Sequence, residues 1–393
     1  MWLGLVPLVV GPFVVVAGLL TRKAPVPHGR KRAEDSAQSE WPKESDARFV
    51  PHLVALCVVL FALAACGGGQ AEVGSASTTT QVSSTSLAAL DFRDPTHGWA
   101  VGGTGKKAVL SRTTDGSSWQ TVPLPIAGRP TDVEFVDKLH GWIAVDSRAD
   151  GGTAEVTILR TSDGGRRWRL SRIPGVAPYD GAFSFTGPRD GWFVGAADDL
   201  RVPVLLRTGD GGATWQKVRV KDELVTLTSI VFQEPPLQGW ISGYDNQHVG
   251  TPSIAFTTSD GGETWTALKG GAAPQSNLFR LDDGHLWSLG EEGDRPQMLR
   301  LRVENGSWET IGSPGDLPTL FAFGSADVGW GVRFETGEEG VVVGWRLLRT
   351  EDGGRTWTDS GVDIPAQPTA IACPSADTAV VATDAGSVVS VGR

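Results

Sequence analysis

From about residue 86 onward, apolar and polar positions alternate in short runs that recur along the chain. One recurring unit is an apolar stretch, a polar turn and a Gly-Trp stretch: DFRDPTHGWAVG, EFVDKLHGWIAV, SFTGPRDGWFVG and VFQEPPLQGWISG. Three variants follow, FRLDDGHLWSLG, FAFGSADVGWGVR and IACPSADTAVVAT, the last without tryptophan. A second unit is an apolar stretch closing in Thr-x-Asp-Gly-Gly-x-x-Trp. It reads TTDGSSW at 113–119, TSDGGRRW at 161–168, TGDGGATW at 208–215, TSDGGETW at 258–265 and TEDGGRTW at 350–357. Its aspartates, Asp115, Asp163, Asp210, Asp260 and Asp352, are spaced 48, 47, 50 and 92 residues apart. The double interval holds an eroded copy, ENGSW at 304–308, which keeps Gly306 and Trp308.

Period-2 alternation bounded by Gly, Asp and Pro predicts four short strands per repeat: an apolar strand, the Gly-Trp strand, the strand before the Asp box, and the strand that carries the box tryptophan. A period of 40–50 residues with four strands per copy is that of a propeller blade. Seven copies predict an all-β, seven-bladed β-propeller of four-stranded blades. The chain ends on SVVSVGR, a third strand without a fourth, so the segment 78–86 is expected to supply the missing strand and hide the open edges.

Composition agrees: 51 glycines and 15 tryptophans stand beside only 2 methionines and 2 tyrosines, a turn-rich and helix-poor profile. Twelve of the tryptophans fall in the two recurring registers. The formal charge is −10, which argues against nucleic acid as a partner while leaving room for local basic patches.

Two apolar runs precede the repeats. Residues 2–20 are long enough to span a bilayer, although Pro7 and Pro12 interrupt them. The second run, from Val50, leads into Leu63-Ala64-Ala65-Cys66 and then three glycines, the form of a lipoprotein signal in which the Cys66 thiol takes the lipid. The expected organisation is an export and anchor region at 1–66, a flexible Gly/Ser/Thr tether at 67–85 that partly forms the closing strand, and the propeller at 86–393. The protein is then extracytoplasmic, held at the cell membrane by a lipid anchor or an N-terminal helix. With cysteines only at 57, 66 and 373, no disulfide framework can be drawn.

The Asp-box side chains suit a hairpin turn, with Thr and Asp bonding the turn backbone and glycines at positive φ, so these aspartates are read as structural. His97, His140 and His285 sit one per blade and form no metal site; Cys373 reads as a small apolar core residue. No cofactor, metal or catalytic residue is expected. The loops between second and third strands break the repeat, and function concentrates in irregular loops on a rigid scaffold. Arg148, Asp198, Asp199, Arg201, Tyr244, Asn246, His248, Arg295, Arg333 and Glu335 are therefore candidates for a binding face around the channel mouth.

The Asp boxes combined with GWAVG-type strands resemble the propeller family of photosystem II stability and assembly factors over roughly residues 86–393. The resemblance implies a monomeric seven-bladed propeller that binds protein partners, here at the cell envelope, and assists assembly of a membrane complex. The rival class is a sialidase-like or other glycan-binding propeller. A sialidase needs an arginine triad and a tyrosine nucleophile with an acid partner. Here only Tyr179 and Tyr244 are present, and Arg172-Ile173-Pro174 follows a box within a repeat instead of preceding the first one.

Overall fold

In the computed structural model, the described residues are 76–392 except 105, 149–151, 179–180, 198–201, 219–225, 234–237, 245–253, 269–272, 282–283, 293–294, 303–306, 313–316 and 338–340. The anchor region, Cys66 and most of the tether lie outside them. Among the described residues, 28 strands form seven four-stranded antiparallel sheets. Numbered in chain order, blade 1 is β2 (Leu87–Phe92), β3 (Gly98–Gly103), β4 (Ala108–Thr113) and β5 (Trp119–Pro123), and the next five blades repeat this meander. Each blade's first strand packs against the first strand of the next. Contact between β2 and β26 (Pro368–Ser375) returns the series to its start, so the first strands form the innermost ring.

Blade 7 is composite. Its order is β26, β27 (Thr378–Thr383), β28 (Ser387–Gly392) and then β1 (Ala76–Gln81), which pairs antiparallel with β28 from Ala76↔Gly392 to Gln81↔Ser387. The strand thus starts earlier than the expected 78 and stops at Gln81. Beyond it the N–H groups of Val82 and Ser83 both donate to the Gly386 carbonyl, while the Val82 carbonyl accepts the Ser111 and Thr121 hydroxyls of blade 1. These bonds turn residues 82–83 out of the ladder and into blade 1.

Neighbouring blades are joined by one aromatic device. At four of the seven joints the second-strand tryptophan stacks face to face on the phenylalanine that ends the next blade's first strand: Trp99 on Phe135 at 3.7 Å, Trp142 on Phe185 at 3.5 Å, Trp192 on Phe232 at 3.6 Å and Trp287 on Phe323 at 4.0 Å. The box tryptophan of that next blade meets the same ring edge-on, as Trp168, Trp215, Trp265 and Trp357 do at 5.9–6.4 Å. Edge-on pairs of this kind add roughly 0.5–1.5 kcal/mol beyond their area burial. The stacking tryptophan also donates its indole N–H to the next blade's box: Trp142 Nε1 to Gly211 O at 2.9 Å, Trp192 to Gly261 at 3.2 Å and Trp287 to Gly353 at 3.0 Å.

The glycine before each tryptophan follows from this packing, because the blade's own phenylalanine lies across it. A methyl group at Gly239 would stand 2.6 Å from the Phe232 ring, and one at Gly329 would stand 2.6 Å from Phe323. Where the glycine is absent, so is the phenylalanine. In blade 5 Leu286 takes the glycine position and pairs with Arg280 in place of phenylalanine; Leu286 then packs on Trp240 with Leu278 and Leu301. In blade 7 Ala379 and Val380 replace Gly-Trp. Cys373 follows Ala372, the partner of Val380, as Phe135 follows Glu134, the partner of Trp142, and Cys373 packs in the core around Trp330.

Removal of residues 1–81 is expected to expose the β28 edge and to lower the melting temperature by roughly 5–10 °C, read by circular dichroism. Gly239→Ala should destabilise by about 1–3 kcal/mol through overpacking against Phe232, and Phe232→Cys by about 3 kcal/mol through the cavity it leaves. The double variant, which copies blade 7, should cost less than the sum in urea unfolding; strict additivity would show that the two positions are independent.

Candidate functional site

The meander places the turn between first and second strands on the same face as the Asp-box turn. The described box aspartates and threonines there are engaged by their own turns. In the boxes the threonine hydroxyl donates to the aspartate, as Thr208 Oγ1 does to Asp210 Oδ1 at 2.8 Å and Thr258 Oγ1 to Asp260 Oδ1 at 2.7 Å. The same hydroxyl accepts the second glycine's N–H, Gly212 at 2.9 Å and Gly262 at 3.0 Å. Both box glycines have φ between +71° and +88° in these two copies, a region that costs glycine nothing. The first glycine's N–H bonds the neighbouring turn, Gly164 to Leu139 O and Gly211 to Arg189 O. The hydroxyl and N–H of Thr214 hold Asp210 at about 2, and those of Thr264 do the same for Asp260. These aspartates are ionised acceptors saturated by their own turn.

The histidines belong to the same face. His97 Nδ1 lies 3.1 Å from Asp94, which also takes Lys138 of blade 2 at 3.0 Å, and His140 Nδ1 lies 2.8 Å from Asp137. His285 stacks on Trp287. Cys373 is half-buried, its thiol donates to Ala322 O at 3.2 Å, and burial raises its pKa.

The inner ring carries a second set of links between blades. An innermost strand has backbone N–H groups with no strand to pair them, and side chains of the preceding blade accept them. Asp91 takes the Phe135 N–H at 2.7 Å, Asp132 the Phe183 N–H at 2.8 Å, Glu134 the Phe185 N–H at 3.1 Å, Ser184 the Phe232 N–H at 2.8 Å and Ser229 the Leu278 N–H at 3.2 Å. Burial pushes Asp132 up to about 7, against the Phe183 and Val133 N–H groups and with help from the Asp91 charge. Burial likewise pushes Glu134 up to about 8, opposed by the Phe185 N–H.

The opposite face holds the connections between second and third strands, and the candidates described by the structure gather there. Arg148 follows the end of β7 (Gly141–Asp146), Tyr244 ends β15 (Gly239–Tyr244), Arg295 opens β20 (Arg295–Arg302), and Arg333 and Glu335 lie near the end of β23 (Gly329–Thr336). Asp198, Asp199, Arg201, Asn246 and His248 lie outside the described residues, as do the side chains of Tyr244 and Arg295. Arg148 brackets the Asp146 carboxylate through Nε and Nη2 at 2.7–3.0 Å, and Arg129 stands 3.9 Å from the same group. Glu335 accepts Arg346 Nε at 2.9 Å, and Arg346 Nη1 reaches Asp363 at 2.9 Å. Glu335, followed by Asp363, raises the Arg346 pKa.

Blade 6 stands out on this face. Its β23 and β24 (Val342–Thr350) have eight and nine residues, against six in β3, β7 and β11 (Gly191–Ala196). The longer hairpin carries exposed Val341, Val342 and Val343 at its tip. Asp146, Arg346, Asp363 and these valines were not among the candidates. The one sign of them in the sequence is the apolar run Val341–Val343 inside an otherwise polar loop.

Together these features define a seven-bladed Asp-box propeller with one face consumed by its own turns and one face of variable, charged hairpins. Residues 175–274 match the model of the photosynthesis system II assembly factor YCF48. The chain is 29% identical over 153 residues to photosystem II assembly protein Ycf48 of Synechococcus sp. (strain JA-2-3B'a(2-13)), a match spanning 38% of this chain and 40% of that protein. YCF48 solved with a D1 peptide superimposes with a TM-score of 0.56 at 21% identity over 81% of this chain and 97% of that one. A glycoside hydrolase of family GH74 from Niastella koreensis superimposes with a TM-score of 0.57 at 14% identity, over 79% of this chain and 53% of that one, which shows the fold alone. Over these stretches the chain is similar to photosystem II assembly factors, and it shares their propeller fold.

The two carboxylate classes predict opposite pH responses. A raised folded-state pKa means stability that is fully present below the ordinary carboxylate value of about 4 and is lost as pH rises through the folded value. Asp132 and Glu134 should therefore cost the protein stability between pH 4 and pH 8, and the Asp132→Asn/Glu134→Gln variant, which keeps both acceptors, should melt higher than the parent at pH 8 but not at pH 4. The boxes act in reverse: their contribution is present above about 4 and is lost as pH falls towards 2.

Proposed function

We propose that this protein is an exported, membrane-tethered binding module that holds a segment of a partner protein on its second-to-third-strand face and assists assembly of a membrane complex. The match of residues 175–274 to the YCF48 model carries the reading, and the D1 peptide bound in the YCF48 structure supports a peptide segment as the ligand class. The physical argument agrees with it. The box aspartates and threonines are committed to their own turns, whereas the opposite face combines ion-paired arginines with an apolar hairpin tip. Charged groups there select and orient a partner, and the exposed valines offer area to bury.

In-cell crosslinking followed by mass spectrometry tests the reading: reproducible capture of a membrane complex through these loops is expected. The variant Arg201→Glu/Tyr244→Ala/Arg333→Glu should lose that capture with an unchanged melting temperature; full retention would overturn the assignment of the face. The tether is tested separately. Cys66→Ser should shift the protein from the membrane to the soluble fraction of a cell lysate, whereas unchanged membrane retention would assign anchoring to residues 2–20.

A further inference from the structure

We propose that the outer edge of blade 2 is a second docking site, which takes an extended acidic segment of a protein partner as an added β-strand. Its outermost strand, β9 (Arg169–Pro174), is unpaired on its outer side and has six residues, compared with three in β13 (Gln216–Val218) and two in β17 (Thr266–Ala267). The Gly175 N–H donates to Ala154 O at 2.8 Å, and the β8 (Glu155–Thr161) to β9 ladder runs from Glu155↔Pro174 to Arg160↔Arg169. Hydrogen-bonded pairs alternate with non-bonded ones along an antiparallel ladder. Ser171 and Ile173 therefore spend their backbone groups on β8, and the N–H and C=O groups of Leu170 and Arg172 point outward. Their spacing of two is what an incoming strand requires.

The charge on this edge is opposite in sign to that of the chain as a whole. Residues 160–172 contain five arginines, at 160, 166, 167, 169 and 172, and one acid, Asp163, in a chain of formal charge −10. Arg166, Arg167, Arg169 and Arg172 are exposed. Arg166 Nη1 donates to Asp163 O at 3.2 Å and Arg172 stands 3.5 Å from Glu155, which leaves the edge with a surplus of positive charge. Leu170 is 40% exposed between them. The other long outer strands differ: β25 (Thr358–Asp363) carries Asp359 and Asp363, β21 (Ser307–Gly312) carries Glu309, and β1 and β5 carry no charge. Arginines on an open edge repel a second copy of the same edge, and the same charge attracts an acidic strand from outside.

The test uses the whole exported chain and a fluorescent, end-capped peptide of about eight residues alternating valine and glutamate, a typical strand length. Binding is expected to weaken with added salt and to protect the Leu170 and Arg172 amides from hydrogen exchange. The charge reversal Arg167→Glu/Arg169→Glu/Arg172→Glu should weaken it by about tenfold or more. Leu170→Pro, which removes one outward N–H and no bond of the β8 ladder, should weaken it comparably. Lysine at the same three positions should retain most of the affinity. Peptide binding that survives both variants, or protection confined to another edge, would overturn the proposal. So would self-association of the chain through this edge, seen by sedimentation. The site lies on the blade rim, so loss of capture through the loop face and loss of this binding are separable outcomes.

Discussion

The stack of one blade's tryptophan on the next blade's phenylalanine is the contact on which the ring depends. A four-stranded blade has two apolar faces and cannot bury either alone, so every blade needs a neighbour on both sides. At four joints the stack supplies that burial, and the indole N–H adds direction: Trp142 contacts Phe185 with its ring and Gly211 with its nitrogen, which fixes both the spacing and the height of blade 3 relative to blade 2. Gly-Trp is thus a joint whose glycine accommodates the blade's own ring and whose tryptophan reaches the next. The exceptions follow the same rule. Leu286 with Arg280, and Ala379 with Cys373, exchange the small residue and the ring together, because a side chain at the glycine position needs the space that phenylalanine would fill.

A second constraint acts at the centre. Innermost strands have no partner for their inward N–H groups, and an orphaned buried donor costs about 1–3 kcal/mol. Asp91, Asp132, Glu134, Ser184 and Ser229 accept those groups across the joints between blades 1 and 5. Two of these acceptors are carboxyl groups whose ionisation burial opposes, so their net contribution to stability falls as the acids ionise. With Trp–Phe stacks in the blade interior and acceptors at the axis, the blades are held at two radii.

This division of labour explains why the two faces differ. The Asp-box face is tied into the joints, since the first box glycine of blades 2, 3, 4 and 6 accepts the indole N–H of the preceding blade's tryptophan, and its turns are nearly uniform in length. The second-to-third-strand hairpins of the opposite face take no part in the stacks and vary in length, from the short blade 1 connection to the longer β23–β24 hairpin of blade 6. A partner-binding surface can diversify there without disturbing the ring. The rim is a third environment, where only the outer strand's side chains and free backbone groups decide what can bind.

The repeat was legible because period-2 alternation, turn glycines and tryptophan spacing are local properties, and seven copies reinforced one another; blade number, strand order and the structural use of Asp210 or Asp260 all follow from them. The purpose of the glycine in Gly-Trp was not legible, because the ring that excludes a Cβ at Gly239 belongs to Phe232, seven residues earlier, and is pinned there by Trp192 of another blade. Nor could the sequence show that Arg148 is tied to Asp146 or Glu335 to Arg346, since ion pairing depends on side chains brought together by strand pairing. The open edge of β9 was hidden for the same reason: five arginines in thirteen residues are visible in the chain, but which backbone groups face outward is decided by ladder register. Local chemistry determined the blade; contacts between blades, which join residues some fifty positions apart, decided where each side chain could act.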